Sequence, residues 1–66
     1  MKNNLRVQRA IKNITQAELA ELIQVSRQTI NTIESGKYVP STVLALKMAK
    51  VFSVPVEEIF DLEEGD

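Results

Sequence analysis

Thr15, Ser26 and Ser41 each stand immediately before an apolar run of helical period, which confines the middle of this chain to short helices joined by tight turns. The first turn of a helix leaves backbone N–H groups unpaired, and a Thr or Ser oxygen just before it can accept from them. Thr15 is followed three residues later by Glu18, the reciprocal pairing of a capping box, ahead of Leu19, Ala20, Leu22 and Ile23. Ser26 opens a helix with a buried stripe of Ile30 and Ile33 and with Thr29 on its margin. Gly36 then supplies the residue that stops it.

The same signals divide the rest. A first helix is predicted from about Asn4 to Lys12, with Leu5 and Ile11 facing in and Asn13-Ile14 breaking it. Lys37 to Pro40 reads as a loop, and Ser41 caps a fourth helix through Phe52. Ser53-Val54-Pro55 ends that one, and Pro55 suits the start of a last short helix from Val56 to about Phe60. No alternating stretch is long enough for a core strand, so the expected fold is all-α, a compact five-helix bundle. The 66 residues make one small domain by length, with a helix-turn-helix at 16–35 and an acidic tail at 61–66.

Residues 16–35 fit the helix-turn-helix reading closely. Two short helices crossing steeply across a tight turn need a small residue where they meet and apolar plugs in the angle. Ala20 is the small residue, and Val25, Ile30 and Ile33 are the plugs. A plain αα-hairpin would explain those positions equally well. It does not explain the outer face of the second helix, where Gln28, Asn31, Thr32 and Ser35 stand in the place of the usual Lys and Glu. Uncharged hydrogen-bonding side chains in a row match the edges of base pairs.

Charge points the same way. The net charge of −1 hides a division: residues 1–56 hold all eight Lys and Arg against three Glu, giving +5, while residues 57–66 hold six acids and no cation, giving −6. The tail by itself reads as a solvated acidic segment. The body is basic enough to approach a polyanion with the tail held away from it. With no Cys and no His, the chain has no disulfide, no thiolate or imidazole metal site and no imidazole general base, so an enzyme is disfavoured. No cofactor, metal or small-molecule ligand is expected. The N-terminal MKNNLRVQR lacks a signal-peptide core, and no apolar run approaches the ~20 residues of a membrane span, so a cytoplasmic location without membrane contact is expected.

The run TQAELAELIQVSRQTINTIESGKYVPS resembles the lambda-repressor-like helix-turn-helix family, also called the XRE or Cro/repressor family. The resemblance rests on Thr15-Gln16, Glu18-Leu19-Ala20, Val25-Ser26, Ile30, Ile33-Glu34, Gly36-Lys37, Pro40-Ser41 and Ala49, and it spans roughly residues 3–60. SRQTIN and the acidic end are similar to the small dimeric cytolysin repressor group, which implies that Lys2–Leu5 and Phe60–Glu63 could pair as short strands. One departure is Gln24, where the family often has Gly in a turn that wants positive φ.

By position, the resemblance implies a transcriptional regulator of the repressor type on double-stranded DNA. Arg27, Gln28, Asn31 and Thr32 match the recognition-helix positions that face base edges. Gln16, Ser26, Ser35 and Lys37 match positions that grip the DNA backbone. Arg9 and Glu34 match a largely buried salt bridge between the first and third helices.

The fourth helix carries more apolar surface than one core needs. Ala45, Met48, Ala49 and Phe52 form its stripe, Leu44 and Val51 widen it on one side and Leu46 on the other. Either the fifth helix or a second subunit would cover the excess. The resemblance implies a homodimer, with Leu44, Val51, Val54, Ile59, Phe60 and Leu62 as the expected seam. The competing reading is an antitoxin-type or other protein-interaction module built on the same domain.

Overall fold

The computed structural model describes residues 1–66. Strand β1 (Lys2–Asn3) leads into helix α1 (Leu5–Lys12), followed by α2 (Gln16–Ile23), α3 (Arg27–Glu34) and α4 (Thr42–Phe52). A 3₁₀ turn, Val56–Glu58, then delivers the chain to strand β2 (Phe60–Asp61). The strands pair antiparallel, Lys2 opposite Asp61 and Asn3 opposite Phe60.

The caps sit where the sequence places them. Thr15 accepts from the Glu18 N–H at 3.0 Å while its own N–H donates to the Glu18 carboxylate at 2.9 Å, closing the capping box. Ser26 accepts from the Thr29 N–H at 3.1 Å and Ser41 from the Leu44 N–H at 3.2 Å. At the other ends, α1, α2 and α4 stop on the left-handed residues Asn13, Gln24 and Ser53, and Gly36 at φ +80° follows α3.

Two expectations fail. The predicted fifth helix is a single 3₁₀ turn, held by N–H groups of Glu58 and Ile59 donating to Pro55 and Val56. Phe60 is drawn into the strand pair opposite Asn3, which leaves too few residues after Pro55 for an α-helical turn to propagate. The fold is therefore four α-helices with a two-stranded clasp of the termini. Ile11 does not face in; it is 71% exposed. It lies six residues beyond Leu5, which turns it about 120° away from Leu5 around the helix. Arg9, one turn on from Leu5, takes the inward line instead, with its side chain 15% exposed.

Leu5, Leu19, Ala20, Ile23, Ile30, Ile33, Met48, Phe52 and Ile59 make one core, drawn from every helix and from the segment after the 3₁₀ turn. The clasp closes this core from the N-terminal side. The Asn4 N–H donates to the Ile59 carbonyl at 2.7 Å, and the Asn3 amide donates to the Ile33 carbonyl at 3.0 Å. Asn3 thereby ties β1 to the last turn of α3, the helix that carries the candidate site.

Candidate nucleic-acid interface

Helices α2 and α3 form the most extensive helix pair of the fold, joined through Gln24, Val25 and Ser26. Gln24 turns the chain at φ 62°, ψ 47°, and the next N–H, that of Val25, returns to the Ala20 carbonyl at 2.9 Å. Ala20 is buried at the crossing and Val25 packs against the core beneath it. Ile30 and Ile33 are anchored in that core, which fixes α3 about its own axis and decides which side chains face out.

Arg27, Gln28 and Asn31 are exposed and together line a shallow depression on α3. Arg27 has no ionic partner. Thr32 is half-buried, inward of the position its sequence spacing suggests. Its hydroxyl donates to the Gln28 carbonyl at 2.8 Å and accepts from the Gln28 side-chain amide at 3.3 Å. Ser35 is exposed and donates to the Thr32 carbonyl at 2.8 Å. Lys37 is exposed just beyond Gly36, without an ionic partner. Ser26 is occupied with capping, its hydroxyl lying 2.9 Å from that of Thr29.

At the N-terminal end of α2 lies a second polar cluster. Arg9 donates to both carboxylate oxygens of Glu34, from Nε to Oε2 and from Nη2 to Oε1 at 3.0 Å. Its Nη1 donates to the Ile14 carbonyl at 3.1 Å, so one guanidinium links α1, the first inter-helix loop and α3. Gln16 Nε2 donates to Glu34 Oε1 at 3.1 Å, and Arg6 Nε lies 3.7 Å from the same oxygen. The Glu34 side chain is only 2% exposed. Burial by itself would raise its pKa, but the hydrogen bonds from Arg9 and Gln16 and the charges of Arg9 and Arg6 outweigh this and hold it below its ordinary value. The same hydrogen bonding from Glu34 raises Arg9.

Two side chains near the site escaped the sequence reading. Tyr38 shares a depression with Gln28, Thr29 and Thr32. Arg6 stands over Glu34 with its side chain 81% exposed. Tyr38 lies next to Lys37 in the chain, a signal available in advance. Nothing local distinguishes Arg6 from Lys12, because its place depends on how α1 meets α3.

The residues of the expected dimer seam differ widely in exposure. Ile59 is completely buried within the core and has no surface to offer a partner. Leu44, Val51, Val54 and Phe60 are half-buried against the same core. Apolar side chains are exposed on α1 and α2, at Val7, Ile11 and Leu22, and along α4 and the clasp, where Val43, Leu46 and Leu62 are exposed at 61%, 56% and 82%. Leu46 lines two adjoining grooves, one with Val43, Ala49 and Val54, the other with Val39, Val56, Phe60 and Leu62. No helix is long and apolar enough to cross a membrane.

Residues 5–59 match the family model described as helix-turn-helix. An uncharacterised HTH-type transcriptional regulator of Methanocaldococcus jannaschii is 53% identical to the chain over 66 residues, the whole length of both. Another from Bacillus subtilis, YgzD, is 48% identical over 64 residues, 97% of each chain. The HTH-type transcriptional activator BcrR of Enterococcus faecalis is 43% identical over 53 residues, 80% of this chain and 26% of BcrR.

Proposed function

The chain belongs to the helix-turn-helix family, and on that basis we propose that it is a sequence-specific regulator of transcription that binds double-stranded DNA as a homodimer. The observation that carries this reading is the outer face of α3. Arg27, Gln28 and Asn31 are exposed, Arg27 has no ionic partner, and the helix that carries them is fixed in rotation by Ile30 and Ile33. Such a face offers donors and acceptors without first having to break internal ion pairs.

In this reading α3 lies in the major groove and α2 crosses the backbone above it. The Gln28 side chain presents a free Oε1 and one free N–H, the pair that adenine needs for two hydrogen bonds. Its other N–H is held by Thr32, so the side chain is oriented before DNA arrives. Arg27 suits the two acceptors of guanine, and Asn31 suits adenine. Gln16, Lys37, the Ser35 hydroxyl and the backbone N–H groups near Ser26 grip phosphates and set register.

A domain of this size buries too little DNA surface to be both tight and selective, so two copies on an inverted repeat solve the affinity problem. The grooves that meet at Leu46 supply the seam. A dimer seated over its operator excludes other proteins from the same DNA, which is sufficient for repression in the cytoplasm. Selection of bound sequences from random duplexes tests the reading directly. A recovered inverted repeat is the expected result, and failure to enrich any sequence above the input pool would overturn it.

A further inference from the structure

Glu34 is buried, yet one of its oxygens is shared by two side chains that reach the surface. Gln16 Nε2 lies 3.1 Å from Oε1, and Arg6 Nε lies 3.7 Å from it. A carboxylate only accepts hydrogen bonds, so Glu34 dictates which end of the Gln16 amide turns toward it. One N–H is taken, and the second is left for another acceptor. Arg9 already neutralises Glu34 through two hydrogen bonds. The charge of Arg6 is therefore surplus, and its guanidinium makes no hydrogen bond of its own in the fold.

We propose that Arg6 joins Gln16 at the DNA phosphate already assigned to Gln16, and that Glu34 beneath them is the positioning residue that sets them side by side. This rests on the DNA-binding reading above and adds to it a cation on α1 and a second task for the buried pair. A guanidinium and an amide N–H around one point present an oxyanion with positive charge and directed donors. The contact carries no sequence information, so it strengthens binding to every duplex alike.

Binding to operator and random duplexes, followed by fluorescence anisotropy across a salt series, tests the seat. Arg6→Ala is expected to melt with the parent and to lower the log–log salt slope by about 0.9, the share of one phosphate. Lys50→Ala makes the same change in net charge on α4 and is expected to leave the slope unchanged. Equal losses in both variants would show a general field rather than a seat and overturn the proposal. Gln16→Ala is expected to weaken binding to both duplexes ~10-fold, on the order of one hydrogen bond to a charged group. In a background where Arg9→Met and Glu34→Leu replace the pair, Gln16→Ala is expected to change binding less than ~2-fold, because its anchor is already gone. Full additivity there would remove Glu34 from the positioning role. A parent that binds no duplex at all would bring down the DNA-binding reading itself, whereas a parent that binds with an unaltered slope in Arg6→Ala would bring down only the seat.

Discussion

Gln28 and Thr32 brace one another along the outer edge of α3. The Thr32 hydroxyl donates to the Gln28 carbonyl at 2.8 Å and accepts from the Gln28 side-chain amide at 3.3 Å. Thr32 thus acts on the candidate base-reading face by holding Gln28 as well as by its own surface, which is half-buried. Gln28→Ala is expected to cost ~1–3 kcal/mol of discrimination between the selected operator and random DNA. Thr32→Val keeps the shape and removes the brace, so a smaller loss in the same direction is expected. Competition binding reads both, and two variants as selective as the parent would show that this face does not read bases.

Arg9→Met should be far more damaging than its single charge suggests. It leaves the Glu34 side chain, 2% exposed, without its principal partner. Breaking a buried pair typically costs ~3–5 kcal/mol, while replacing both members by apolar residues is often near neutral. Thermal melts are expected to show a large drop for Arg9→Met and substantial recovery when Glu34→Leu is added. A single variant that melts with the parent would contradict the buried pair.

The same carboxylate gives the fold a pH signature. Its pKa lies below the ordinary 4.5 in the folded state, so the unfolded chain binds the proton more readily. The stabilisation from Glu34 is therefore complete above about pH 4.5 and is lost as pH falls through the lower folded value. Melting temperatures taken from pH 7 to pH 3 should be level and then fall. In the Arg9→Met, Glu34→Leu variant the acid fall should be shallower, and an unchanged acid limb would assign it to other carboxylates.

Leu46 sits where two apolar grooves meet, and it contributes little to the protomer's own core. Leu46→Glu is expected to turn a micromolar dimer into a monomer in sedimentation equilibrium while helical circular dichroism is retained. Operator binding should fall toward that of a single half-site. Ile59→Ala is expected to behave differently: it opens a cavity in the core and costs ~2–5 kcal/mol of folding stability. If Leu46→Glu remains dimeric, the seam lies elsewhere.

Gln24 carries the turn between α2 and α3 at φ +62°, a conformation that costs a residue with a Cβ ~1–2 kcal/mol. Gln24→Gly relieves this but gives the unfolded chain more freedom, so the net gain is expected to be at most about 1 kcal/mol. Its only side-chain hydrogen bond, received from Lys47 at 3.4 Å, is exposed and long. A melting temperature below the parent's would mean that this contact outweighs the strain.

Helix starts, helix stops and the exposure of Arg27, Gln28 and Asn31 on α3 were legible in the chain because they are local. Thr15 with Glu18, Ser26, Ser41 and Gly36 act within one turn of themselves, and the spacing of Ile30 and Ile33 orients everything else on their helix. What escaped was whatever depends on the distance between remote elements. Ile11 looked apolar enough to be core, but the short α1 meets its neighbours through Leu5 and Arg9, leaving Ile11 in solvent. Phe60 carried a helical pattern and was claimed by Asn3 across the clasp, since a strand pair there joins the two ends of the chain and a fifth helix would not. Ile59 looked like a seam residue and closes the core instead. Arg6 had no distinguishing neighbour in the chain; its place beside Gln16 exists because folding brings α1, α2 and α3 to one buried carboxylate. Local hydrogen bonding and periodicity set the helices, and long-range packing decided which of their apolar and charged side chains were left to do anything else.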